Sequence, residues 1–191
     1  MAYNPKKHHR RSIRLSGYDY TQPGAYYITI CTYKRQCWFG DVMNGKVHYN
    51  HLGYIAYSFW QALPRRFSHI ELDVFVVMPN HLHGILIICD RVNQIQANDL
   101  PKKEQFGKPV AGSIPTVIRS FKAAVTKRIN LMRKTLNPPV WQSNYYESII
   151  RVETGLDNVR QYIINNPRQW EMDEENPRYH TDEKLDLNLD F

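Results

Sequence analysis

Hydrophobic positions along the chain recur with two different periods, and the switches between them lay out its elements. Residues 25–33 (Ala-Tyr-Tyr-Ile-Thr-Ile-Cys-Thr-Tyr) follow Pro23-Gly24 and are rich in aromatic and β-branched types, which predicts a first strand. From Leu52 to Leu63 the apolar residues Leu52, Ile55, Ala56, Phe59, Trp60 and Leu63 fall three and four apart, the stripe of an amphipathic helix, with Asn50 placed to cap it. Ile70, Leu72, Val74, Val76 and Met78 then alternate with Glu71, Asp73, Phe75 and Val77, predicting a second strand with one strongly apolar face. Pro79-Asn80 marks a turn, and Leu82 to Cys89 is apolar on both alternating sets after its opening. Such a third strand is central and covered on both faces, and so short a connection makes it antiparallel to the second.

Residues 90–112 are polar and suit a long surface loop. A second helix is expected from about Ser113, with Ile114, Val117, Ile118, Phe121, Val125, Ile129 and Met132 as its apolar stripe and a basic remainder. After Pro138-Pro139, Tyr145 to Ile150 predicts a fourth strand. Thr154 and Asp157 have the spacing of a capping box, and Leu156, Val159 and Ile163 open a last helix that Pro167 should end. The order strand, helix, strand, strand, helix, strand, helix gives an α+β, ferredoxin-like (RRM-like) antiparallel sheet with an added C-terminal helix. RNA-recognition modules share that layout, so it does not decide function.

Charge divides the chain more sharply than its formal total of +7 suggests: residues 1–170 carry +13, whereas 171–191 carry −6. A basic N-terminal arm (1–20), one domain (21–170) and an acidic tail (171–191) are therefore expected. A body of this charge suits a polyanionic partner such as nucleic acid. No apolar run approaches the roughly 18 residues that cross a bilayer, and the first residues lack the apolar stretch of a secretory signal. A soluble, cytoplasmic protein with no membrane partner is expected. Cys31, Cys37 and Cys89 are odd in number and lack C-x-x-C spacing, which argues for free thiols.

His81 and His83 stand two apart at the start of the third strand, so both imidazoles share one face and can reach one cation. Two histidines satisfied at a strand end would have the same spacing. On the last helix Tyr162 and Asn166 lie four apart on one face, at the edge of the Leu156, Val159 and Ile163 stripe. An amide there can complete a mixed nitrogen and oxygen set, with the phenol one turn earlier; a core-edge aromatic followed by a helix end fits equally.

Taken together these segments resemble a known family. Val76-Val77-Met78-Pro79-Asn80-His81-Leu82-His83-Gly84 is similar to the His-hydrophobic-His segment of single-tyrosine HUH transposases. Trp141 to Arg151, Tyr162-Ile163-Ile164-Asn165-Asn166-Pro167 and the early stretches His8 to Leu15 and Tyr18 to Tyr26 resemble the REP-associated tyrosine transposase branch. The resemblance implies that Tyr162 is the nucleophile and that His81, His83 and Asn166 hold the metal. It further implies a single-stranded DNA partner, with hairpin-forming repeats, cut and rejoined through a 5′-phosphotyrosine. Monomer and homodimer both stay open.

A phenol with an ordinary pKa near 10 needs help to attack a phosphodiester at neutral pH. Imidazole and amide ligands with open positions suit Mg2+ or Mn2+. Arg10, Arg11 and Arg14 of the arm, with Arg119 and Lys122 of the second helix, are the expected phosphate contacts, although a solvated helix face looks the same in sequence. Tyr26, Tyr27, Tyr145 and Tyr146 are candidates for stacking on bases. Two rivals remain: a non-catalytic single-stranded nucleic-acid-binding module of this fold, and a zinc hydrolase that uses water.

Overall fold

The computed structural model describes residues 18–90, 110–173 and 176–177. Residues 1–17 of the expected basic arm, including Arg10, Arg11 and Arg14, the greater part of the 90–112 loop, and most of the acidic tail lie outside the described residues, whereas Tyr20 is buried in the larger core. Four strands, β1 (Gly24–Cys31), β4 (Ile70–Val77), β5 (His81–Ile88) and β6 (Tyr146–Ile150), form one antiparallel sheet in the order β4-β5-β1-β6. β5 is thus internal, as its doubly apolar pattern requires. The helices are α1 (His51–Gln61), the single turn α2 (Leu63–Arg66), α3 (Ile114–Arg133) and α4 (Glu153–Gln169). Among the described residues no helix is long and apolar enough to cross a membrane.

The sheet separates two cores. Leu82, Leu86 and Ile88 of β5 and Tyr26, Ile28 and Ile30 of β1 face α1 and α3, whose Trp60, Ile118, Phe121 and Val125 close the larger core. Ile85 and Ile87 face the other way, toward Leu156, Val159 and Ile163 of α4 and toward Trp170. The alternation along β5 therefore puts His81 and His83 on the α4 side. Asn50 caps α1 as expected, its side-chain oxygen accepting from the amides of Leu52 at 2.9 Å and Gly53 at 3.0 Å. The stripe of α3 is buried from Ile114 to Ile129, but Met132 is exposed.

Four expectations are corrected. A hairpin of β2 (Gly40–Met43) and β3 (Lys46–Tyr49) intervenes between β1 and α1. It turns at Asn44-Gly45, both with positive φ, the dipeptide that suits a two-residue hairpin. β4 does not present one apolar face. A register shift between Leu72 and Phe75 leaves Asp73 and Val74 opposite one residue of β5, so Ile70 and Leu72 face the larger core with Phe75 and Val77, whereas Val74, Val76 and Met78 face α4. α4 has no capping box: Val152 occupies the cap position without a side-chain bond, and Asp157 accepts from Arg160 instead. Nor does Pro167 end α4, which continues to Gln169 and a 3-10 turn, Trp170–Met172. Trp170 is buried in the second core, and the Asn176 amide donates to its carbonyl at 3.0 Å.

Candidate functional site

His81 opens β5 and His83 follows on the same face, their rings 4.4 Å apart. β1 lies alongside, with Thr29 opposite His83. Tyr27 and Thr29 place their hydroxyls 2.7 and 2.8 Å from His83 Nδ1 and fix that ring between them. On the other side Asn80 sets His81. Its amide nitrogen donates to the Arg35 carbonyl at 3.2 Å, which turns its oxygen toward His81 Nδ1 at 2.7 Å. An amide oxygen only accepts, so Nδ1 carries the proton and Nε2 presents a lone pair.

α4 supplies the opposing wall. Val159 and Ile163 bury its apolar side, and Arg160 grips Asp73 in the β4 bulge, with Nη2 2.6 Å and Nε 3.0 Å from one carboxylate oxygen. That guanidinium holds the Asp73 carboxyl below its usual range. The bulge thus turns a carboxylate toward α4 and anchors the helix two residues before the phenol. Tyr162 then lies 3.4 Å from His83 Nε2 through its hydroxyl, and Asn166 Oδ1 lies 3.3 Å from His81 Nε2. The structure therefore brings together all four residues singled out in the sequence, three of them buried and Tyr162 45% exposed.

Burial, aided by the charge of Arg35, lowers the His81 pKa to about 4; burial, the neighbouring His81 and Arg35 lower that of His83 to about 2. Both rings are neutral at pH 7 and can act as ligands. Burial also raises the Tyr27 phenol above its ordinary value, keeping it protonated. Among the described residues no three His, Cys, Asp or Glu side chains gather around one point. A cation here would depend on the amide of Asn166, and the geometry fits one: two lone pairs, on His81 Nε2 and Asn166 Oδ1, face each other across 3.3 Å in a buried setting. Two acceptors so placed call for a cation or a proton between them.

Arg119 and Lys122 are not brought to this site. They belong to α3, across the sheet, and the Lys122 ammonium donates to the carbonyls of Gln142 at 2.6 Å, Ser143 at 3.1 Å and Asn144 at 3.3 Å. It ties down the loop before β6, and burial lowers its pKa to about 8. Of the four candidate stacking tyrosines, Tyr26 is fully buried and donates to the Gln22 carbonyl, and Tyr145 packs on the larger core and bonds Glu147. Tyr27 supports His83, and Tyr146 stands exposed beside Tyr27 at 6.1 Å between ring centres. Sequence reasoning missed Arg35, Asn80, Thr29 and the pair Asp73 and Arg160. For Thr29 the two-residue spacing from Tyr27 was a usable signal; for the others nothing local marks the pairing.

Fold and site together define an α+β protein of ferredoxin-like type in which a His-x-His strand faces a helix carrying Tyr-x-x-x-Asn. The chain superposes on the structure of a REP-associated tyrosine transposase bound to a REP hairpin with a TM-score of 0.51, covering 84% of this chain and 72% of that one at 17% identity, and so shares its fold. A crystal structure from Deinococcus radiodurans overlaps with a TM-score of 0.45 at 18% identity, over 80% of this chain and 97% of that one, too low to add to the argument. No family model matches the chain. In sequence it is 40% identical over 179 residues to an uncharacterized protein of Haemophilus influenzae, covering 90% of this chain and 96% of that protein. The chain belongs to that protein's family.

Proposed function

We propose that the protein is a metal-dependent, transposase-like transesterase that cleaves and rejoins single-stranded DNA near hairpins, with Tyr162 as nucleophile. The observation that carries this reading is the convergence of His81, His83, Tyr162 and Asn166 from β5 and a helix some 80 residues later, at 3.3 and 3.4 Å. A binding module could stack a base on an exposed tyrosine but does not require two buried imidazoles and a buried amide gathered against it. The fold shared with the hairpin-bound REP-associated transposase points to the same partner.

His81, His83 and Asn166 would hold Mg2+ or Mn2+, which when bound withdraws charge from a non-bridging phosphate oxygen. Tyr162 Oη attacks phosphorus, the bond from phosphorus to the 3′ oxygen breaks, and the products are a 5′-phosphotyrosine and a 3′-hydroxyl. The proton lost by the phenol balances the one gained by the departing oxygen. Attack by another 3′-hydroxyl reverses the sequence and rejoins strands with no external energy source. Tyr27 and Thr29 keep the His83 ring in place, and Asn80 fixes the His81 tautomer; such partners of ligand histidines commonly matter about 10–100-fold in affinity or activity.

The test is denaturing electrophoresis with hairpin DNA labelled at its 3′ end, downstream of the cut. Wild type with Mn2+ is expected to give a labelled protein-DNA band that chelator abolishes, and Tyr162→Phe to bind the same DNA without giving the band. A band from Tyr162→Phe would assign the nucleophile elsewhere.

A further inference from the structure

The outer edge of the main sheet is flanked by two grooves of different chemistry. β4 is the last strand of the order β4-β5-β1-β6, and among the described residues no strand pairs with its far side. Open strand edges invite pairing, and proteins usually cover or blunt them. The β4 bulge sends neighbouring apolar side chains to opposite faces, Val74 with Val76 toward α4 and Leu72 with Phe75 toward α1, and Leu72, Val74 and Phe75 are only half-buried. On the α4 side, Val74 and Val76 line an apolar groove of about 380 Å³ with Ile163, Ile164 and Pro167, and Ile164 is 53% exposed. On the α1 side, Leu72 and Phe75 line a groove of about 540 Å³ whose helical wall is mostly polar, with Ser58, Gln61 and the exposed Arg65.

One segment of the chain matches both grooves at once. Leu185-Asp186-Leu187-Asn188-Leu189-Asp190-Phe191 alternates without a break, so as a strand it carries its four apolar side chains on one face and two carboxylates with an amide on the other. It lies outside the described residues, which stop at 177 beside the edge in question. Trp170 packs with Val76 and Met78 at the Val77 end of β4, and Asn176 is held to the Trp170 carbonyl at 3.0 Å. Residues 178–184 can span up to about 25 Å. Seven extended residues then cover about 23 Å, nearly the length of the eight-residue β4. A chain that arrives at the Val77 end and turns back along the edge runs antiparallel to β4. We propose that residues 185–191 dock along β4 as a fifth strand of the main sheet, with Leu185, Leu187, Leu189 and Phe191 in the α4-side groove and Asp186 and Asp190 toward Arg65. Main-chain bonds to an open edge supply affinity in such pairing, and the grooves on either side choose the face. The apolar side chains then press on Ile164 and Pro167, so the added strand clamps α4 against the sheet from outside. The docking does not depend on the strand-transfer reading.

Hydrogen exchange of backbone amides in the full chain reads the pairing directly. The outward-directed amides among Val74 to Val77 are expected to exchange about 10-fold or more faster in the double variant Leu187→Asp, Leu189→Asp than in wild type, with β1 amides unchanged. Arg65→Glu is expected to speed exchange at the same amides, and adding Asp186→Lys and Asp190→Lys to it is expected to restore protection. Without that recovery, the placement of the acidic face toward Arg65 is overturned. Equal exchange in wild type and the double leucine variant overturns the docking. Faster exchange spread alike over β1, β4 and β5 reports a general loss of stability and overturns it as well. Protection of β4 that rises with protein concentration assigns the edge to a second copy and overturns pairing within the chain.

Discussion

Gly84, between His83 and Ile85, allows the larger core to press against the strand that bears the histidines. A Cβ at this position would meet Trp60 Cζ2 at 2.7 Å, Trp60 Cε2 at 3.0 Å and Phe75 Cβ at 3.0 Å. Favourable carbon contacts lie at about 3.5–4.0 Å, so the overlap approaches 1 Å. Trp60 cannot retreat: it is fully buried, with Phe121 set edge-on at 5.1 Å and Phe75 at 6.3 Å. Gly84→Ala therefore belongs at the upper end of overpacking costs, about 3 kcal/mol, which for a chain of this length lowers Tm by about 6–12 °C. Thermal unfolding followed by circular dichroism measures it. Trp60→Phe removes the indole edge that clashes, so the double variant is expected to show a favourable coupling of about 1–2 kcal/mol. The strand displaced by the new methyl moves toward α4, and adduct formation is expected to fall with stability. A Tm within about 2 °C of wild type, or strict additivity in the double variant, would refute the packing argument.

In chelator, the protein is expected to lose stability as pH falls from about 7 to 5: with the folded His81 pKa at about 4 against an ordinary 6.5, the unfolded chain binds more protons across that window, worth about 2 kcal/mol for His81 at pH 5. A urea midpoint that is flat between pH 7 and pH 5 would contradict it. Lys122→Ala is expected to destabilise the protein by about 1–3 kcal/mol, because three carbonyls lose their donor, and to leave the salt dependence of DNA binding unchanged. A shallower salt slope at unchanged Tm would instead return Lys122 to the DNA interface.

How far the sequence discloses this molecule depends on how local each determinant is. The Asn50 cap, the α1 stripe and the doubly apolar β5 are decided within a few residues, and the structure has them where the pattern puts them. Tyr162 and Asn166 share a face because any helix places residues four apart together; that this face meets the histidines depends on docking. The hairpin at Asn44-Gly45 was legible but sits between short, half-polar strands of four residues each, with little periodicity to draw the eye. The β4 bulge was not legible, because alternation continues through it in the sequence while the register shifts in space. Pro167 misleads for a different reason: packing of Trp170 outweighs a local preference. The role of Lys122 likewise depends on a loop some 20 residues away that nothing in its own helix announces.

The four residues at the centre of the site come from opposite faces of a seam that closes only when α4 docks. β5 can form its pairs with β1 and β4 before α4 exists, but the lone pairs and the phenol then have no counterpart. A nascent chain that has not yet released residues 153–169 from the ribosome is consequently incapable of the proposed chemistry. The same holds for a folded molecule whose last helix has transiently peeled away. Under the proposed reading, completeness of the fold is itself a licence to cut, and a damaged or truncated copy is inert toward DNA without any dedicated inhibitor.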